Sequence, residues 1–135
     1  MTLLRSFAAR ITGHCIRLFA RAITAVRADW QGIAPIPRQR VYYSNHTSNA
    51  DMPMIWSVLP AALRRDVRPV AAADYWLKTK LRAFIGPEVF NCVLIDRRPE
   101  VNDKPMDKIL AALDDGSSLI IFPEGNRNMG ADDLL

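Results

Sequence analysis

After residue 39, four short runs of apolar and β-branched residues recur along the chain: RVYYSN (40–45), VRPVAAA (67–73), CVLID (92–96) and SLIIFP (118–123). Each has the length and composition of a buried strand. Between them lie stretches with helical spacing. Residues 52–65 predict a helix, broken around Pro60, and residues 74–85 predict a second. Residues 103–114 predict a third, with Asp103 as N-cap and Gly116 as its stop. Strands that alternate with helices point to an α/β domain with a mostly parallel sheet and flanking helices. Upstream, QGIAPIPRQR (31–40) carries two prolines and a glycine and reads as a connector.

The segment before that connector has its own pattern. Residues 3–26 repeat with helical period. At about 100° per residue, Arg10, His14, Arg17 and Arg21 form one narrow stripe. Leu4, Phe7, Ile11, Cys15, Leu18, Ala22 and Val26 lie on the other side. A wide apolar arc beside a cationic arc is the pattern of a helix lying in a membrane interface, arginines towards anionic headgroups. Two other readings stay open: an amphipathic helix packed on its own domain, and an Arg-rich targeting peptide. The arginines interrupt every apolar stretch well short of the ~20 residues that span a bilayer. The uncharged core and cleavage site of a secretory signal are also absent.

Charge sharpens this division. The 135 residues carry a net charge of +4. Residues 1–28 hold five arginines and no acid, so the remainder sums to 4 − 5 = −1. The basic character belongs to the N-terminal segment, not to the domain, which argues against nucleic acid as a partner. The length suits one domain. We divide it into an amphipathic membrane-surface helix (1–30) and the α/β part (31–135). Cys15 and Cys92 are far apart, and with two histidines they make no plausible zinc set. Both read as reduced core thiols.

Polar clusters follow three of the four runs: SNHTSNAD after the first, DRR after the third, PEGNR after the fourth. In open parallel sheets ligands bind beyond the carboxyl ends of the strands, so the three clusters would meet at one edge. His46 can act as a base, because a neutral imidazole titrates near physiological pH. Asp51, five positions on, can fix its tautomer and stabilise the imidazolium. No serine or cysteine sits in a nucleophile elbow, so the base would act on a hydroxyl of the substrate. Gly125 permits close backbone approach to a ligand, Glu124 offers an acceptor, and Arg97 and Arg127 are forked donors suited to phosphate.

Together NHTSNAD, VLIDRR and FPEGNR resemble the first three sequence blocks of the glycerolipid acyltransferases, the group that contains the 1-acylglycerol-3-phosphate acyltransferases. Order and separation match over roughly residues 40–135. The resemblance implies a glycerol-3-phosphate acyltransferase-like fold. It also implies transfer of a fatty acyl group from acyl-CoA or acyl-carrier protein to a glycerol hydroxyl of lysophosphatidate, in phospholipid biosynthesis. It makes His46 the general base, oriented by Asp51, and gives Arg97, Glu124, Gly125 and Arg127 the phosphorylated acceptor. No metal and no cofactor beyond the acyl-donor co-substrate is implied. The expected partners are an anionic membrane surface, a lysophospholipid and the acyl donor, at the cytoplasmic face of a membrane. Backbone N–H groups of the His46 loop are the expected oxyanion donors. Two positions depart from the family pattern. The usual glycine four residues before Ile95 is Asn91, and the usual threonine of the third block is Asn126. Members of the family continue past this point with a further strand and an acyl-donor block. The chain therefore reads as the N-terminal part of such a domain, the alternative being an inactive membrane-associated fragment.

Overall fold

A computed structural model describes residues 2–96 and 104–125. Four parallel strands form one sheet in the order β1-β4-β2-β3. They are β1 (Val41–Tyr43), β2 (Val67–Ala72), β3 (Val93–Ile95) and β4 (Ser118–Ile121). This is the α/β architecture expected from the alternating runs. β4 lies in the interior of the sheet, and Leu119 and Ile120 are completely buried. Alternation sends their side chains to opposite faces. Leu119 packs with Val93 and Ala112 on one face, while Ile120 packs with Leu59, Leu63 and Val67 on the other.

Helices cover both faces, as a parallel sheet requires. α6 (Pro105–Asp114) covers the Leu119 face through Ile109, Ala112 and Leu113. Pro105 opens it, where a missing N–H costs nothing, and Gly116 follows it at φ 81°. Asp103, the expected N-cap, lies outside the described residues. On the other face α2 (Asp51–Val58) and α3 (Ala61–Arg64) replace the single predicted helix. The break is at Pro60: Leu59 before it is extended, at ψ 137°. The second predicted helix is also divided, into α4 (Ala73–Trp76), α5 (Lys80–Phe84) and a π-helical turn (Ile85–Val89). Thr79 restarts the chain by accepting the Arg82 N–H on its hydroxyl. Asn91 stands at φ 54°. The substitution of the family's usual glycine thus falls where the backbone is left-handed, a conformation asparagine tolerates better than most residues.

α1 (Leu3–Thr24) is one continuous helix packed across α2 and the π-helical turn. Its buried positions are Ala9 and Gly13, with Ile16 packed on the Trp56–Phe90 cluster. A Cβ on Gly13 would come within 3.2 Å of Val89 and 3.3 Å of Trp56, so the helix approaches as closely as glycine allows. An ion pair between Arg5 and Glu88 ties its first turns to the π-helical turn. The bulky apolar residues point elsewhere: Leu4, Phe7, Ile11 and Leu18 are all exposed. Cys15 is exposed on the same side, so it is not the core thiol expected; Cys92 is. Burial pushes the Cys92 thiol up to about 12 despite nearby Arg68.

Candidate active site

The site is built where β1 and β4 end side by side. Ser44 continues the ladder, its N–H donating to the Ile121 carbonyl at 3.3 Å. The chain then loops through residues 45–50 and re-enters structure at Asp51, the first residue of α2. This loop is closed by one carboxylate oxygen. Asp51 Oδ2 lies 3.0 Å from His46 Nδ1, and accepts the Thr47 and Ser48 N–H groups at 2.8 and 2.7 Å. Ser48 braces the same turn, its hydroxyl accepting the Ala50 N–H at 3.1 Å. Burial pushes the Asp51 carboxyl up, but the Ser48 N–H, the His46 ring and the Thr47 N–H outweigh it. The net effect holds its pKa below the ordinary 3.8. The sign follows from that direction: the clamp's stabilisation is complete above the ordinary carboxylate range and is lost as pH falls through the lowered value.

An ionised Asp51 accepts and never donates. Its contact therefore assigns the proton of a neutral His46 to Nδ1 and leaves Nε2 as a bare acceptor. The ring is held on a second side by Phe122, stacked at 4.4 Å with 27° between the planes. The backbone is held as well: the His46 N–H donates to Glu124 Oε1 at 2.9 Å. Glu124 sits in the tight turn after β4, where the Gly125 N–H returns to the Phe122 carbonyl at 3.1 Å and Gly125 takes φ 67°. The two segments that sequence spacing separates by 78 residues are thus joined by a ring stack and a carboxylate clamp.

Of the residues singled out from sequence, His46, Asp51, Glu124 and Gly125 come together here. Arg97, Arg127 and Asn126 lie outside the described residues. Glu124 does something the sequence did not reveal: it binds the histidine's own backbone. The expectation that the loop's N–H groups serve as oxyanion donors is corrected at three positions. The N–H groups of His46, Thr47 and Ser48 are already engaged by Glu124 and Asp51, so they are unavailable to a developing negative charge. Asn49, one residue further, lines the cavity.

That cavity, of about 560 Å³, opens beside His46 along the carboxyl ends of the strands. Its walls are mainly apolar, drawn from Met52, Ala71, Ile95, Ile109 and Ile121, with Tyr75 and Trp76 at one side. This size falls within the ~300–1,000 Å³ of small-molecule sites, and the lining suits a hydrocarbon ligand with one polar end. Among the described residues no three His, Cys, Asp or Glu side chains gather as metal ligands.

The sequence profile of the Acyltransferase family matches residues 27–134. The chain belongs to that family. No curated protein matches the chain, and no solved structure does. The match starts beyond α1 and takes in the whole sheet, the His46–Asp51 loop and the turn at Glu124.

Proposed function

We propose that the protein transfers a fatty acyl group from acyl-CoA or acyl-carrier protein to a glycerol hydroxyl of lysophosphatidate, a step of phospholipid synthesis. The observation that carries this reading is the His46 Nδ1–Asp51 Oδ2 contact of 3.0 Å at the mouth of an apolar cavity. In the proposed step Nε2 of His46 takes the proton of the glycerol hydroxyl. The alkoxide oxygen attacks the thioester carbonyl, forming the C–O bond of the new ester and a tetrahedral oxyanion. Collapse breaks the C–S bond, and the leaving thiolate takes the proton back from the imidazolium. Asp51 stabilises that imidazolium while it exists. Asn49, on the loop that carries His46 and lining the same cavity, donates to the oxyanion through its carboxamide. The acyl tail occupies the apolar cavity. Arg97 and Arg127, which follow β3 and β4 in sequence, bind the acceptor's phosphate by bidentate hydrogen bonds.

The reading also has the enzyme work at a membrane surface, on the cytoplasmic face. What supports this is α1: Leu4, Phe7, Ile11 and Leu18 stand exposed in one stripe, with Arg10, Arg17 and Arg21 on its flank. Such a helix would bury its stripe among acyl chains and direct the arginines to anionic headgroups. Among the described residues no helix is long and apolar enough to cross a membrane.

The test is direct. Radiolabelled acyl-CoA and lysophosphatidate, incubated with the chain, should yield phosphatidate. His46→Ala should lower the rate by the ~10²–10⁴-fold typical of a general base. Product formation that survives the substitution undiminished would refute the proposal.

A further inference from the structure

The cavity beside His46 has two unlike sides. His46 and Asn49 come from the loop after β1, whereas Tyr75 and Trp76 come from α4, which follows β2 directly. In the order β1-β4-β2-β3 these strands stand two spacings apart, about 10 Å along the sheet edge. Chemistry is placed at one side, and an aromatic wall faces it.

The wall is held in place from behind. A Cβ on Gly86 would stand 2.8 Å from Trp76 Cδ2 and Cε3 and 3.0 Å from Cγ. Glycine at this buried position in the π-helical turn is therefore what allows the indole to lie where it does. Phe90, itself buried, meets Trp76 edge-on at 5.9 Å, and Tyr75 meets it edge-on at 5.4 Å. The Arg82 guanidinium covers the Tyr75 ring at 4.3 Å. A wall packed this way cannot yield gradually to a longer ligand, because close-packed interiors transmit strain and do not absorb it.

We infer that Trp76, seated on Gly86, limits the length of the acyl chain that this site accepts. This rests on the reading of the cavity as the acyl chamber. Below the limit, each added methylene that finds cover should strengthen binding about fourfold. At the limit the gain should stop, since the next methylene meets the indole. The two residues should act in opposite directions. Removing the indole deepens the cavity. Adding a methyl at position 86 drives the ring off the π-helical turn, towards the cavity it lines.

The experiment measures displacement of cis-parinaric acid from the full chain by saturated fatty acids from octanoate to stearate. Wild type, Trp76→Phe, Trp76→Ala and Gly86→Ala are compared, each checked for a cooperative melt. Wild type should show affinity that rises with length and then levels off. Trp76→Ala should move that break to longer chains and Trp76→Phe should move it less. Gly86→Ala should move it to shorter ones; if that variant fails to fold, the two Trp76 variants decide. An unchanged break in Trp76→Ala, an absence of any break, or no displacement at all would overturn the inference. Binding is scored without turnover, so the two readings fail separately. Acyl transfer with an unmoved break sinks the role of Trp76 alone. A break that moves as stated in a protein without transferase activity sinks the proposed reaction and leaves the chamber.

Discussion

The loop joining β1 to α2 and the helix α1 treat their polar and apolar groups in opposite ways. Around His46 the polar groups are spent inward: Asp51 takes one ring N–H and two backbone N–H groups, and Glu124 takes a third. In α1 the large apolar side chains are turned outward, while the helix docks through alanine and glycine. One region forgoes solvation to fix a single ring nitrogen; the other leaves apolar surface without cover among the described residues. Satisfied polar networks of the first kind specify one geometry. Exposed apolar stripes of the second kind mark a surface that something else covers.

Breaking the first region should have the larger effect, and Glu124 separates two explanations of it. If its task is to hold the His46 backbone, Glu124→Gln keeps an acceptor oxygen and should retain most of the turnover. Glu124→Ala should lower kcat by roughly 10-fold or more, since a misplaced base loses proximity and orientation. A Gln variant as poor as the Ala variant, with the loss in KM for the phosphorylated acceptor, would return Glu124 to direct substrate binding.

Sharpening the second region needs two sets of substitutions on one helix. Gly13→Leu forces a side chain between Val89 and Trp56, which already stand 3.2 and 3.3 Å from a bare Cβ. It should cost about 1–3 kcal/mol, the range for overpacking, seen as a lowered melting temperature. Replacing Leu4, Phe7, Ile11 and Leu18 together by serine should change stability far less, within about 0.5 kcal/mol per site, as for other surface positions. The same set should abolish sedimentation with anionic vesicles. Vesicle binding that persists in the serine variant would show that the stripe serves another purpose. A smaller effect is expected at Asn91: alanine there should cost about 1 kcal/mol in a denaturant melt, because φ 54° disfavours a Cβ without a local hydrogen-bonding group.

These two regions were also unequally legible in the sequence. The loop was readable because its chemistry demands residue types: a histidine, a carboxylate a short loop away, a glycine after a strand. The parallel sheet placed NHTSNAD beside FPEG, as the strand ends suggested. Phe122 as a stacking partner and Glu124 as a backbone acceptor were not readable, since both depend on β1 and β4 being neighbours. The engagement of the His46, Thr47 and Ser48 N–H groups by Glu124 and Asp51 was hidden too, and it removed those three as oxyanion donors. α1 was readable as an amphipathic helix, but not in its docking. A hydrophobic pattern weights bulky residues, whereas close approach selects small ones, so Ala9 and Gly13 carried no signal. The division of residues 74–85 into two short helices and a π-helical turn was likewise hidden. Thr79 restarts the chain between them, and Trp76 of α4 packs on Gly86 of the π-helical turn, a contact between segments.

Asp51 fixes the tautomer of the neutral His46 ring, with the proton on Nδ1, and this leaves Nε2 bare for the proposed proton transfer. The chain has only two histidines, so nitrogen-15 spectra of its imidazoles are simple to assign, with His14→Asn removing the other signal. In the spectrum of the neutral ring, wild-type His46 should carry its proton on Nδ1 and leave Nε2 bare. In Asp51→Asn that tautomer should no longer dominate, and acyl transfer should fall with it. A wild-type ring that carries its proton on Nε2 and leaves Nδ1 bare would contradict the account at its base.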